Sequence, residues 1–180
     1  MKKIVLKDFS EIPDYIEVIA HSAEQAQLRI TEISEEKNAM ALMVKLKFER
    51  LGYDPLNSSR DLNFIEQLNQ TYTYLASLKA AEFIFVRHPN ISSLTLNLGT
   101  ASGSDIETPD CGGIAAEVFA ATHPNSNNKL KKDIEKVSKT AAHYKYSFFM
   151  CPNIEEGEYV SKSTPAVMVW SLGPWNEYNK

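Results

Sequence analysis

The chain is poor in cysteine, and the two that it has are not spaced as a structural cross-link or a zinc site would require. Cys111 and Cys151 are the only cysteines among 180 residues, and there is no CxxC pair. A disulfide framework needs several cysteines, and a zinc site needs them in close pairs. We therefore expect reduced thiols and a cytoplasmic location.

Long apolar runs are missing as well. No segment approaches the roughly 20 consecutive apolar residues that a membrane-spanning helix requires. The N-terminal stretch MKKIVLKDFSEIPDY carries acidic residues where a signal peptide would have its apolar core. We expect neither a signal peptide nor a membrane partner.

The chain also lacks an excess of positive charge, since its formal net charge is −4. Proteins that coat nucleic acid by bulk charge need many cations on one surface, so the composition argues against that class. A local basic patch stays open, because the stretch NNKLKKDIEKVSK concentrates five lysines: Lys129, Lys131, Lys132, Lys136 and Lys139.

What remains is an ordinary globular composition, with 43% hydrophobic and 23% charged residues. The length predicts a single domain over 1–180. We divide it into an N-terminal helical part at 1–56, a core at 61–151, and a C-terminal strand and tail at 152–180.

Helical periodicity dominates the first half of the chain. Apolar residues at helical spacing predict a helix from about Ile12 to Ile33. Ser34 is the expected N-cap of a second helix that ends near Gly52, and Asp61 is the expected cap of a third. The run AEFIFVRHPN can continue the third helix to His88 or form a buried strand, and we favour the helix.

The second half changes to strand periodicity, with one helix between strands. Asn125 or Ser126 can cap that helix, whose apolar face carries Leu130, Ile134 and Val137. The order helix–β–β–β–helix–β, followed by one more strand, predicts an α/β fold with a mixed sheet. The expected strands are Leu94–Leu98, Asp105–Glu107, Ile114–Thr122, Tyr144–Cys151 and Ala166–Leu172.

Two acids of neighbouring strands are the strongest candidates for a functional site. Facing side chains of adjacent strands lie about 5 Å apart at Cβ, so Asp105 and Glu117 could meet across the hairpin. Mg²⁺ is commonly bound by one or two carboxylates, with water and substrate phosphate as its other ligands. Glu117 lies within IAAEVFAA, where an isolated buried carboxylate would be costly.

This arrangement resembles the restriction-endonuclease-like, or PD-(D/E)-x-K, nuclease superfamily over roughly 61–151. The resemblance implies a restriction-endonuclease-like core with an N-terminal helical extension. It also implies Mg²⁺-dependent hydrolysis of DNA, with Asp105 and Glu117 as the metal ligands. Glu66 matches an additional acid that some members carry on the preceding helix. A homodimer is implied because cutting two strands needs two sites.

The chain departs from the family motif at one position. The family places a lysine two residues after the glutamate, where this chain has Phe119. Some members carry that lysine on the following helix, so Lys129 or Lys132 is the expected catalytic cation.

Each candidate also has an ordinary structural explanation. Asp105 could cap its own turn, and Glu66 could be a surface residue. Glu117 could form a buried ion pair with a helix lysine or lie at the exposed end of its strand. The lysines could form a solvated helix face. The leading hypothesis is a Mg²⁺-dependent nuclease. The alternatives are a non-catalytic interaction or accessory module that keeps a nuclease-like fold, and an unrelated α/β protein.

Overall fold

A computed structural model describes residues 2–99 and 103–175 of the chain, and for Lys2 it describes the backbone only. The described residues form four α-helices: α1 (Ile12–Ile33), α2 (Ala39–Phe48), α3 (Phe64–Arg87) and α4 (Lys129–Ser138). They also form nine strands: β1 (Lys2–Leu6), β2 (Gly52–Asp54), β3 (Asn57–Leu62), β4 (Leu94–Leu98), β5 (Ile106–Thr108), β6 (Ile114–Ala120), β7 (Tyr144–Met150), β8 (Gly157–Glu158) and β9 (Met168–Ser171).

The chain divides into two compact units. One consists of Met1–Ile12 with Ala76–Lys180, and the other consists of Pro13–Leu75. One boundary lies at the start of α1 and the other lies inside α3, so neither falls in a loop. The first unit contains a seven-stranded sheet, and the second contains the two-stranded hairpin of β2 and β3.

The large sheet is mixed, as the sequence predicts. Its strand order is β1-β4-β5-β6-β7-β9-β8. The pairs from β1 to β6 are antiparallel, whereas β6, β7 and β9 run parallel to one another. A parallel neighbour requires a crossover connection, and α4 provides the crossover from β6 to β7. The predicted order helix–β–β–β–helix–β is therefore present from α3 to β7.

Helix α4 covers the face of β6 that carries Ala115, Glu117 and Phe119. Its buried residues are Leu130, Asp133 and Val137, spaced by three and four as one helix face requires. Leu130 packs with Phe119, Phe149 and Val169, and Val137 packs with Ala115 and Val167. These two apolar clusters flank Asp133 on α4 and Glu117 on β6, and so fix the position of both acids.

Several predicted elements are confirmed. Helix α1 covers the predicted residues, and α3 continues through the ambiguous run and stops at Arg87, before Pro89. Strand β4 matches its prediction, and β5, β6, β7 and β9 lie within one or two residues of theirs.

Other predictions were wrong at helix ends. The cap of α2 is Asn38 and not Ser34, because the side-chain amide oxygen of Asn38 accepts from the backbone N–H groups of Met40 and Ala41. Helix α2 ends at Phe48, and Gly52 begins β2 instead of closing the helix. The start of α3 is capped by Asn63 and not by Asp61, which lies in β3.

The N-terminal part is not purely helical. Strand β1 was missed, although Ile4 and Leu6 are buried and Val5 is exposed, as alternation in a strand requires. The hairpin of β2 and β3 was also missed. Strand β3 reads NSSRDL, and only its last residue is buried, so it carries almost no apolar periodicity.

Candidate functional site

The hairpin of β5 and β6 brings Asp105 and Glu117 together. Ile106 pairs with Ala116 in the antiparallel register, and the same register continued by one residue sets Asp105 opposite Glu117. The negative charge of Asp105 contributes to raising the pKa of Glu117, as expected for neighbouring carboxylates. Both predicted acids therefore lie at one place on the sheet.

Asp105 is held between two strands. Its backbone carbonyl accepts from the Asn97 N–H at 2.8 Å, and its Oδ2 accepts from the Val118 N–H at 2.8 Å. The carboxylate thus bonds to the strand that carries Glu117. The alternative in which Asp105 caps its own turn does not account for this bond. Asp105 as a whole residue is half-buried.

Glu117 is the most buried acid of the site, with 1% of its surface exposed. Lys136 of α4 donates from Nζ to its Oε2 at 2.7 Å, while Oε1 is buried without a hydrogen-bond partner among the described residues. Burial and the charge of Asp105 raise the pKa of Glu117 to about 7, although the bond from Lys136 opposes the rise. Of the two structural alternatives for Glu117, the buried ion pair with a helix lysine is present.

A second ion pair lies one turn earlier on α4. Asp133 is also buried, with a side chain 3% exposed, and Lys129 donates to its Oδ1 at 2.5 Å. Its Oδ2 has no partner among the described residues. Burial raises the pKa of the Asp133 carboxyl, and the bond and charge of Lys129 oppose that rise.

Lys129 lies close to the place where the family motif would have its lysine. Its Nζ is 5.9 Å from the centre of the ring of Phe119, at the position where the resemblance implies a lysine. Phe119 itself is buried against Leu130 and Phe149. The α4 face over Glu117 and Phe119 therefore presents two ammonium groups, Lys129 and Lys136.

Two further residues are candidates from the sequence, Lys132 and Glu66. Lys132 is exposed on α4. Glu66 belongs to the other unit, and there its carboxylate accepts from the Asn63 N–H at 3.2 Å while Asn63 accepts from the Glu66 N–H. This reciprocal capping box gives Glu66 a structural role at the start of α3.

Two residues of the site were missed from the sequence: Lys136 and Asp133. A usable signal existed, because Lys129, Asp133 and Lys136 follow one another at spacings of four and three. Asp133 also falls between the apolar positions Leu130 and Val137 on the same helix face. An acid in that position is buried and needs a cation.

The residues suit a metal ion only in part. Asp105 and Glu117 supply two carboxylates, and the buried Glu117 Oε1 has no hydrogen-bond partner among the described residues. However, within 2–99 and 103–175 no three His, Cys, Asp or Glu side chains form a group that could hold a metal. Any ion here would depend on water and substrate oxygens for its remaining ligands.

An open groove adjoins the site on the α4 side of the sheet. Its volume is about 830 Å³, and Glu107, Lys136 and Thr140 line it together with the glycines of the β5–β6 turn. A substrate that lies in this groove would have the Lys136 ammonium at its edge.

Within the described part of the chain, no helix has both the length and the apolar character to cross a membrane. Comparison of the chain with protein-family models, with curated proteins and with solved structures found no match.

Proposed function

We propose that the chain is a Mg²⁺-dependent nuclease with a restriction-endonuclease-like core, in which α4 supplies the cations that the strand motif lacks. The observation that carries the proposal is the β5–β6 register, which sets Asp105 opposite Glu117 on the face that α4 covers. The α3–β4–β5–β6–α4–β7 order and the antiparallel-then-parallel pairing support it. The proposed substrate is DNA.

In this proposal the carboxylates of Asp105 and Glu117 hold the ion, and Glu117 contributes Oε1, the buried oxygen that has no hydrogen-bond partner among the described residues. A bound Mg²⁺ would supply polarisation of the phosphate and a lower pKa for the attacking water. Lys129 and Lys136 stabilise the negative charge that develops on the phosphate, because their ammonium groups are already fixed by Asp133 and Glu117. The folded helix therefore orients these cations before substrate binds.

A test uses plasmid DNA and an RNA panel with Mg²⁺ or Mn²⁺. We expect the unmutated protein to cleave, and Asp105→Asn and Glu117→Gln to lose cleavage while keeping the folded circular-dichroism spectrum. Glu135→Gln is the matched control, since Glu135 is an exposed acid on the outer side of α4. No cleavage of any substrate by the unmutated protein would reject the proposal.

The Lys136–Glu117 pair favours a second candidate, a non-catalytic module that keeps this architecture. Lys136 already pairs with Glu117, so this buried acid has a cationic partner without a metal ion. The strand position at which the resemblance implies a lysine holds the apolar residue Phe119. Titration calorimetry with Mg²⁺ and Mn²⁺ separates the two. Metal binding that Asp105→Asn abolishes supports the nuclease, and no binding together with no cleavage supports the module.

A further inference from the structure

Three oxygen atoms between helix α4 and the large sheet are buried without a hydrogen-bond partner in the part of the chain that the structure describes: Glu117 Oε1, Asp133 Oδ2 and Ser147 Oγ. Their residues are exposed by only 1%, 2% and 0%, respectively. An unpaired buried polar atom is costly, and most buried polar atoms in proteins bond to protein groups or to ordered water. These atoms therefore indicate a binding partner that lies between the helix and the sheet.

The packing of α4 sets the three residues beside one another. Glu117 and Ser147 are register partners in the parallel strands β6 and β7, so their side chains lie on the same face of the sheet. Along α4, Asp133 lies between Leu130 and Val137, which are buried in two separate apolar clusters against that face. Asp133 is therefore held over the strand positions between those clusters, which are Glu117 and Ser147.

The two acids use their other oxygens for the ion pairs with lysines of α4. Lys136 donates to Glu117 Oε2 at 2.7 Å, and Lys129 donates to Asp133 Oδ1 at 2.5 Å. The negative charge of Asp133 also contributes to raising the pKa of Glu117, as expected for neighbouring carboxylates. The atoms left over are thus two carboxylate oxygens, which accept, and one hydroxyl, which can donate.

We propose that a single buried water molecule binds Glu117 Oε1, Asp133 Oδ2 and Ser147 Oγ. Its two O–H groups donate to the two carboxylate oxygens, and its own oxygen accepts from the Ser147 hydroxyl. Internal waters commonly make about three hydrogen bonds of this kind to buried polar groups. A proton shared directly between the two carboxyl groups would leave the Ser147 hydroxyl unpaired, so a water molecule accounts for more of the buried atoms.

The water joins the two ion pairs into one hydrogen-bonded network, from Lys136 through Glu117 and Asp133 to Lys129. It also connects α4 to β7, because Ser147 belongs to that strand. The water does not depend on the proposed nuclease activity, since its three partners are side chains of the folded chain. A carboxylate oxygen has two lone pairs, so Glu117 Oε1 can accept from this water and still contact an ion.

The first test is a high-resolution crystal structure of protein that has been treated with a chelator. We expect one ordered water peak within about 2.5–3.0 Å of all three oxygens. Direct contact between Glu117 Oε1 and Asp133 Oδ2, with no peak beside them, indicates a shared proton and overturns the proposal. Crystals soaked in rubidium chloride provide the control for a cation, because an anomalous peak at this position also overturns it.

The second test asks whether Ser147 and Asp133 act through one partner. Ser147→Ala and Asp133→Asn should each lower the melting temperature by about 2–4 °C. Neither side-chain oxygen of interest bonds to the other, so the fall in the double variant should be smaller than the sum of the single falls only if they share the water. Glu117→Gln replaces Asp133→Asn in this comparison if the latter does not fold.

The control pair combines Ser147→Ala with Asp110→Asn. The Asp110 carboxylate accepts from the N–H and the hydroxyl of Ser92, so it has partners of its own within the same unit. The two falls in melting temperature should add in this pair. Equally additive falls for Ser147→Ala with Asp133→Asn would overturn the proposal, as would a melting temperature that Ser147→Ala leaves unchanged.

Discussion

Lys136 Nζ lies 2.7 Å from Glu117 Oε2 and joins helix α4 to the middle strand of the sheet. The pair is asymmetric, because the Glu117 side chain is 1% exposed whereas that of Lys136 is 51% exposed. Burial works against the charge of Lys136, but the bond and charge of Glu117 outweigh it and raise the pKa of the lysine. The cost of a buried carboxylate is thus reduced by a cation that still contacts solvent.

Stability should depend on pH through Glu117. Its pKa rises from 4.5 in an unfolded chain to about 7 in the folded one, so between these values the folded chain holds a proton that the unfolded chain has released. The free energy of unfolding therefore falls as pH rises from 4.5 to 7, by a few kcal/mol at most. Urea unfolding at several pH values should show this fall, and Glu117→Gln should flatten it. An unchanged slope in Glu117→Gln would contradict the assignment, with Glu135→Gln as control.

Removal of the lysine should leave a buried acid without its donor. We expect Lys136→Met to lower the free energy of unfolding by about 1–3 kcal/mol at pH 8, the cost of an unsatisfied buried group. The loss should shrink at pH 5, where Glu117 is protonated. Thermal melts at both pH values measure the difference. Lys132→Met, an exposed change on the same helix, should have little effect at either pH, and equal losses in the two variants would argue against the pair.

Cleavage, where it is observed, should depend on Lys129 and not on Lys132. Lys129 is fixed by Asp133 and lies over Phe119, whereas Lys132 is exposed. We expect Lys129→Met to lower the cleavage rate about 100-fold, the usual effect of losing one preorganised charge-stabilising group. Lys132→Met should retain nearly the full rate. Initial rates on plasmid DNA under single-turnover conditions give the comparison, and the opposite ranking would move the cation to Lys132.

In the smaller unit, the buried side chain of Asp54 accepts several hydrogen bonds. Its Oδ2 accepts from the Tyr74 hydroxyl at 3.0 Å and from Arg60 at 3.1 Å, and its Oδ1 accepts from the Leu56 N–H. Asp54→Ala should lower the free energy of unfolding by about 1–3 kcal/mol. Tyr74→Phe should cost less, because it removes one of several bonds to Asp54. Chemical denaturation of both variants checks the order, and Asp61→Ala, an exposed acid of β3, serves as control.

Local periodicity was sufficient for much of the fold. Helices α1 and α3 and strands β4 and β7 carry enough regularly spaced apolar residues to be predicted from the letters alone. Strand β1 and the β2–β3 hairpin were not predictable in this way, because short or polar strands are specified by their pairing partners. The end of α2 was misjudged since Gly52 suits a helix cap and a strand start equally.

The candidate site was likewise predictable from the sequence only in part. From the sequence alone, Asp105 and Glu117 were paired across a tight turn, because hairpin register is a local property. Only the tertiary structure decided which lysine reaches Glu117. Helix α4 must bury Leu130 and Val137 against the sheet, and that rotation carries Asp133 inward, aims Lys136 at Glu117 and leaves Lys132 in solvent. The spacing of Lys129, Asp133 and Lys136 predicts that they share one side of the helix, but the lysine that reaches Glu117 is chosen by how α4 packs against the sheet.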